Sequence, residues 1–171
     1  MPTQKLYYLD TYNIQHKAKV INIDLATNSI ELDSTIFHPQ GGGQPSDKGT
    51  IDGIAVIKVL DTAEGGVKHF LAAAPTFDLN AEVELIIDLE YRIQCAKLHS
   101  AGHALAHVAE AHYPGLTAVQ GHHFPKEARV EFKNKASISV VSNSLILIEA
   151  PSNGEPETIS INAGGFFTDL N

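Results

Sequence analysis

Apolar and polar positions alternate with a period of two across most of the first half of the chain. Residues 18–23 and 30–37 carry this alternation on either side of the turn signal Thr27-Asn28-Ser29, which predicts an antiparallel hairpin. Residues 50–60 repeat the pattern around Asp52-Gly53, a pair suited to a type I′ turn. Residues 67–71 follow Gly65-Gly66, and residues 81–87 form a further alternating strand. Many short strands with frequent turns predict a small barrel or sandwich. At Asp88 the period lengthens to about 3.6. Leu89, Ile93, Leu98, Ala101, Leu105 and Val108 then fall on one stripe, and Pro114-Gly115 closes the run, so a long helix is expected over residues 89–113.

Beyond that helix the alternation returns. Strands are expected over residues 119–124, 129–132, 137–141 and 158–161, with a loop over residues 151–156. Residues 142–150 fit either a short helix or a buried strand. These patterns describe an α+β protein with a small N-terminal β-barrel over residues 1–88. An antiparallel sheet with helices is expected over residues 89–171.

Composition narrows the function. The chain has 171 residues and 43% hydrophobic content, enough to bury a core, and a formal charge of −8 with only two arginines, Arg92 and Arg129. That balance argues against a grip on a long nucleic-acid duplex through phosphates, so any nucleic-acid partner must be held locally. No stretch approaches a membrane span, the start lacks a signal-peptide pattern, and Cys95 is the one cysteine. A cytoplasmic monomer without a membrane partner is expected.

Two motifs carry the candidate chemistry. The first is the loop Phe37-His38-Pro39-Gln40-Gly41-Gly42-Gly43-Gln44-Pro45-Ser46-Asp47-Lys48-Gly49. Its triple glycine permits positive φ and a close approach by a ligand or another backbone, and it matches no phosphate-loop spacing. The second is His99-Ser100-Ala101-Gly102-His103, where two imidazoles four apart share one helix face and make half of a tetrahedral zinc site.

Taken together and in this order, the Thr35 to Gly49 segment and the His99/His103 pair resemble the editing domain of alanyl-tRNA synthetase and its free-standing relatives, the AlaX trans-editing proteins. The resemblance implies hydrolysis of serine or glycine wrongly esterified to alanine tRNA. It also implies zinc held by H-x-x-x-H plus a later C-x-x-x-H. Carried over by position, His99 and His103 are metal and catalytic residues, and Gly41, Gly42, Gly43 and Gln44 abut the pocket. Thr35 supplies a hydroxyl on the strand leading in. Thr35, Gln44 and Gln120 are the polar candidates for contacting a serine hydroxyl.

The chain departs from that pattern, because no C-x-x-x-H occurs in it and Cys95 precedes the histidine pair. The second domain is therefore expected to be incomplete at its C-terminus or divergent, with an incomplete zinc site. Cys95, His99, His103 and His107 cannot converge from one straight helix. His122 and His123 sit on the following strand, and one of them is placed to reach the helix pair, as a ligand or in a structural or substrate-contacting role. Without metal, His99 or His103 remains a general base near neutral pH. The rival functions are an aminoacyl-tRNA binder without turnover and a metal-dependent hydrolase of another small ester.

Overall fold

A computed structural model of the chain describes residues 2–134 and 158–162. The chain divides into two compact units, one of Met1–Gly41 and Pro45–Ile93, the other of Gly42–Gln44 and Gln94–Asn171. The expected strand at 137–141, the ambiguous stretch at 142–150 and the loop at 151–156 lie outside the described residues.

The first unit is built on a closed antiparallel barrel. Its strands are β2 (Gln15–Asp24), β3 (Ser29–Leu32), β5 (Gly49–Ile51), β6 (Ile54–Asp61), β7 (Val67–Leu71) and β8 (Glu82–Ile87), in the order β2-β3-β7-β6-β5-β8. Closure leaves no free edge, which lets a sheet of short strands persist in so small a unit. The two-residue strands β1 (Gln4–Lys5) and β4 (Ser34–Thr35) pair in parallel beside it, an element too short for periodicity to reveal. Between β5 and β6, Asp52 and Gly53 have φ of 45° and 77°, the two left-handed residues of the expected turn.

Alternation selects the interior. On β8, Val83, Leu85 and Ile87 point inward while Glu82 and Ile86 are exposed. On β7 the same rule buries Val67, His69 and Leu71, so an imidazole enters an apolar core. The Nε2 of His69 meets the Thr35 hydroxyl at 2.8 Å, and the Phe37 ring stands edge-on to it at 5.6 Å. Burial holds the His69 pKa down at about 4.

The one buried ion pair of the unit, among the described residues, closes the base of the glycine loop. Asp47 receives the His38 amide at 2.5 Å and returns its own amide to the His38 carbonyl at 3.0 Å. Arg92 grips the same carboxylate through Nε at 3.2 Å to both oxygens and through Nη2 at 2.5 Å. The guanidinium also donates to the carbonyls of Thr11 and Ile36. Desolvating two charges is tolerated here because each is paired and its remaining hydrogen-bonding capacity is used.

The second unit holds most of α1 (Leu89–His112), together with β9 (Leu116–His122), β10 (Arg129–Asn134) and β11 (Thr158–Asn162) in the order β11-β10-β9. Asp88 opens α1 by accepting the Tyr91 amide at 3.0 Å. The buried stripe of the helix differs from the expected one. It runs through Arg92, Cys95, Leu98, Gly102 and Ala109, whereas Val108 is 53% exposed. The apolar residues on α1 are too evenly spread for one stripe to stand out, and small or polar residues take buried positions that hydropathy assigns elsewhere. Among the described residues no helix is long and apolar enough to cross a membrane.

His69 makes the barrel sensitive to acid. Its pKa of about 4 in the folded chain lies below the value near 6.5 of an unfolded histidine, so below pH 6.5 the unfolded state takes up a proton that the fold refuses. The stability that neutral His69 allows is fully present above about pH 6.5 and is lost as pH falls toward 4. A His69→Gln variant should show a slope of unfolding free energy against pH reduced by up to about 1.4 kcal/mol per pH unit in that window. Equal slopes in denaturant titrations of variant and parent would exclude His69 as the source.

Candidate functional site

The helix pair forms as its spacing requires. His99 Nε2 and His103 Nε2 lie 2.9 Å apart, and their rings stack at 4.8 Å. Gln44 fixes the direction of the bond. A carbonyl oxygen can only accept, so the contact of 3.0 Å between Gln44 Oε1 and His99 Nδ1 makes Nδ1–H the donor. In the neutral ring Nε2 then carries the lone pair and receives Nε2–H of His103, which leaves a lone pair on His103 Nδ1.

A third imidazole joins from beyond β9. His123 is 4% exposed and stacks on His99 at 4.7 Å, with His103 at 6.2 Å. Its backbone amide donates to the Gly43 carbonyl at 2.8 Å. Two glycines make room for the ring: a Cβ on Gly102 would stand 2.6 Å from His123 Nδ1, and one on Gly121 2.6 Å from Cε1. Burial first, then the neighbouring imidazoles, lowers the pKa of His123, which favours its neutral form. These two glycines form its seat.

The loop tip belongs to this unit. Gly42 and Gly43 adopt φ of 56° and 79°, a tight turn in the left-handed region. A Cβ on Gly42 would touch His99 Cε1 at 3.6 Å, and one on Gly43 would be driven into the Gly121 carbonyl. Gly41 is of a different kind. It is counted with the first unit, is exposed, and a Cβ there would meet nothing within 4 Å.

Beside the imidazoles lies an open cleft of about 440 Å³. One wall is the α1 face carrying Gly102, His103, Ala106, His107 and Glu110, residues three or four apart; the other is the β9 segment Ala118, Val119, Gln120 and Gly121. Among its lining residues Glu110 is the only carboxylate, and none is lysine or arginine.

These features bear on the relatives. No family model matches the chain. Over 106 residues it is 45% identical to alanyl-tRNA editing protein AlaX-M of Pyrococcus horikoshii, which covers 62% of this chain and 48% of that protein. It is 29% identical over 160 residues to AlaX-L of the same organism, covering 86% and 39% of the two chains. It also aligns at 40% identity over 107 residues with the alanine–tRNA ligase of Caldivirga maquilingensis, 61% of this chain against 12% of that one. The chain is similar in sequence to the AlaX editing proteins over more than half of its length. It spans about half the length of AlaX-M of P. horikoshii.

Against the AlaX pattern, the expected site residues fall into two groups. His99, His103, Gln44, Gly42 and Gly43 are in mutual contact or adjacent in the second unit, and Gln120 lines the cleft. Thr35 belongs to the first unit, fully buried, with its hydroxyl engaged by His69 and by the Phe37 amide. His123 takes one of the open places left by sequence. His107 is exposed and lines the cleft, whereas Cys95 is fully buried. Glu110 went unnoticed in the sequence, where it reads as one more solvated helix carboxylate.

The zinc that the family implies meets a partial fit. Gln44 orients His99 as the partner of a metal-bound imidazole does, and two Nε2 atoms lie side by side. However, no group of three or more histidine, cysteine or carboxylate side chains among the described residues can hold an ion. These residues supply two donors where a closed site needs four.

The glycines should separate sharply under mutation. Gly43→Ala combines positive φ with a backbone clash and is expected to cost about 2 kcal/mol or more and to speed hydrogen exchange at the His123 amide. Gly41→Ala should stay within about 0.5 kcal/mol of the parent. Thermal unfolding and amide exchange measure both, and equal effects of the two substitutions would contradict the described turn.

Proposed function

We propose that this chain, alone or as part of a longer protein, is an aminoacyl-tRNA deacylase that removes serine or glycine wrongly attached to alanine tRNA. The observation that carries the reading is the bonded array Gln44–His99–His103, whose last member lines an open cleft. The names of the relatives point the same way, to alanyl-tRNA editing.

The chemistry asks little of the protein. An aminoacyl ester is already activated, so positioning water and ester accounts for most of the catalysis. Water adds its oxygen to the ester carbonyl carbon while its proton passes to the imidazole pair. The carbon–oxygen bond to the ribose then breaks and the same proton is returned to the ribose oxygen. Gln44 serves this step by holding one tautomer of His99, so that the pair keeps a lone pair for the incoming proton. Neutral His123 walls the pair without adding positive charge. A serine hydroxyl would be recognised by the amide N–H groups of Gln44 and by Gln120 on the facing wall, a contact that alanine lacks. Zinc is retained in the proposal only as an ion that His99 and His103 would share with donors not found among the described residues, and no step is drawn through it.

One observation favours a second reading. Half a metal site suits a relative that binds charged tRNA without turning it over, and retention of Ser-tRNA(Ala) with no release of serine would support that reading.

Deacylation of Ser-tRNA(Ala), Gly-tRNA(Ala) and Ala-tRNA(Ala) tests the proposal. The first two should be hydrolysed and the third spared. His103→Ala should lower kcat at least about a hundredfold, and Gln44→Ala about tenfold. Treatment with a chelator, followed by metal analysis, tells whether activity follows bound zinc or the imidazoles alone. Unchanged rates in both variants would remove the histidine pair from the reaction.

A further inference from the structure

The cleft continues well past the imidazole pair, and its far end is chemically distinct. Glu110 follows His103 by seven residues, which places it on the same helix face about 10 Å along the axis. Its Oε1 accepts the Ala118 amide at 2.7 Å, which holds the carboxylate against the β9 wall. This is an unfavourable place for a negative charge. Glu110 lies in the last turn of α1, where the helix dipole is negative, and among the described residues no ion pair offsets it. The cleft between these ends is paved by Ala106 and flanked by the His107 ring and by Val119, which is 46% exposed. Walls of small, apolar and imidazole side chains with one acceptor-only group at the end suit a heterocycle bearing an amino group. The lack of lysine or arginine in the lining disfavours a phosphate.

We propose that the Glu110 end of the cleft is a nucleobase subsite that accepts a hydrogen bond from the exocyclic amino group of the terminal adenine of tRNA. This rests on the deacylase reading, which puts the ester beside His103. The ribose ring separates that ester from its own base, and the base then reaches toward the far end of the cleft. The α-amine of the amino acid adjoins the ester carbonyl and is too close to it to reach Glu110. Adenine presents an N–H₂ donor on its edge, and a carboxylate can only accept. Inosine, with a carbonyl oxygen at that place, sets acceptor against acceptor.

The test uses two non-hydrolysable probes, 3′-deoxy-3′-(serylamino)adenosine and its inosine counterpart, titrated into the protein by calorimetry. The parent should bind the adenosine probe about tenfold more tightly than the inosine probe. Glu110→Gln keeps an oxygen for the Ala118 amide and gains a donor, so it should abolish or invert the preference. A structural role for Glu110 would weaken both probes alike. Equal affinity of the parent for the two probes, no binding of either, or an unchanged preference in Glu110→Gln would overturn the subsite. The Ser-tRNA(Ala) assay separates the two ideas: hydrolysis without base preference sinks the subsite alone, and base preference switched by Glu110→Gln without hydrolysis upholds the subsite while sinking the deacylase reading.

Discussion

The hydrogen bond from His99 to Gln44 is the interaction on which the cleft depends. It runs from the long helix to the tip of a glycine turn, and it decides which nitrogen of each imidazole carries a proton. A second bond, from the His123 amide to the Gly43 carbonyl, fixes the same turn from the opposite wall. Each explains a residue choice that hydropathy leaves arbitrary. Gly43 must be glycine because its Cβ would occupy the Gly121 carbonyl, and Gly102 must be small because the His123 ring lies over it. The chemistry of the cleft is therefore set largely by side chains that are missing.

The barrel unit solves a different problem. It carries a loop whose conformation is costly in entropy, and it anchors that loop at its base through the Asp47–His38 amide pair and the buried Arg92. Closing the base limits the conformations open to residues between His38 and Asp47, which lowers the entropy lost when Gly42–Gln44 take up a single turn. Thr35 and His69 form a separate buried pair within the core. Their hydrogen bond satisfies groups that would otherwise weaken the barrel, and leaves the Thr35 hydroxyl engaged there.

Periodicity carried most of the architecture. The period-two runs located the six barrel strands, the Asp52-Gly53 pair located a turn, and the change at Asp88 located a helix that runs Leu89–His112 where 89–113 was expected. Parts of the cleft were legible too, because His99 and His103 lie on one face by helix geometry alone. What stayed hidden depended on distant contacts. The depth of Cys95, the exposure of Val108 and the seating of His123 are decided by what packs against α1. Glu110 becomes distinctive only once the Ala118 amide is seen to hold it. β1 and β4, two residues each, lie below the length at which alternation carries information.

The tautomer of His99 gives the most direct measure of whether Gln44 governs the imidazole pair. A long-range proton–nitrogen correlation spectrum, recorded at a pH where both rings are neutral, should show His99 protonated at Nδ1 and bare at Nε2. Replacing Gln44 with alanine should turn this single form into a mixture. A His99 protonated at Nε2 in the parent, or a tautomer unmoved by loss of Gln44, would contradict the account.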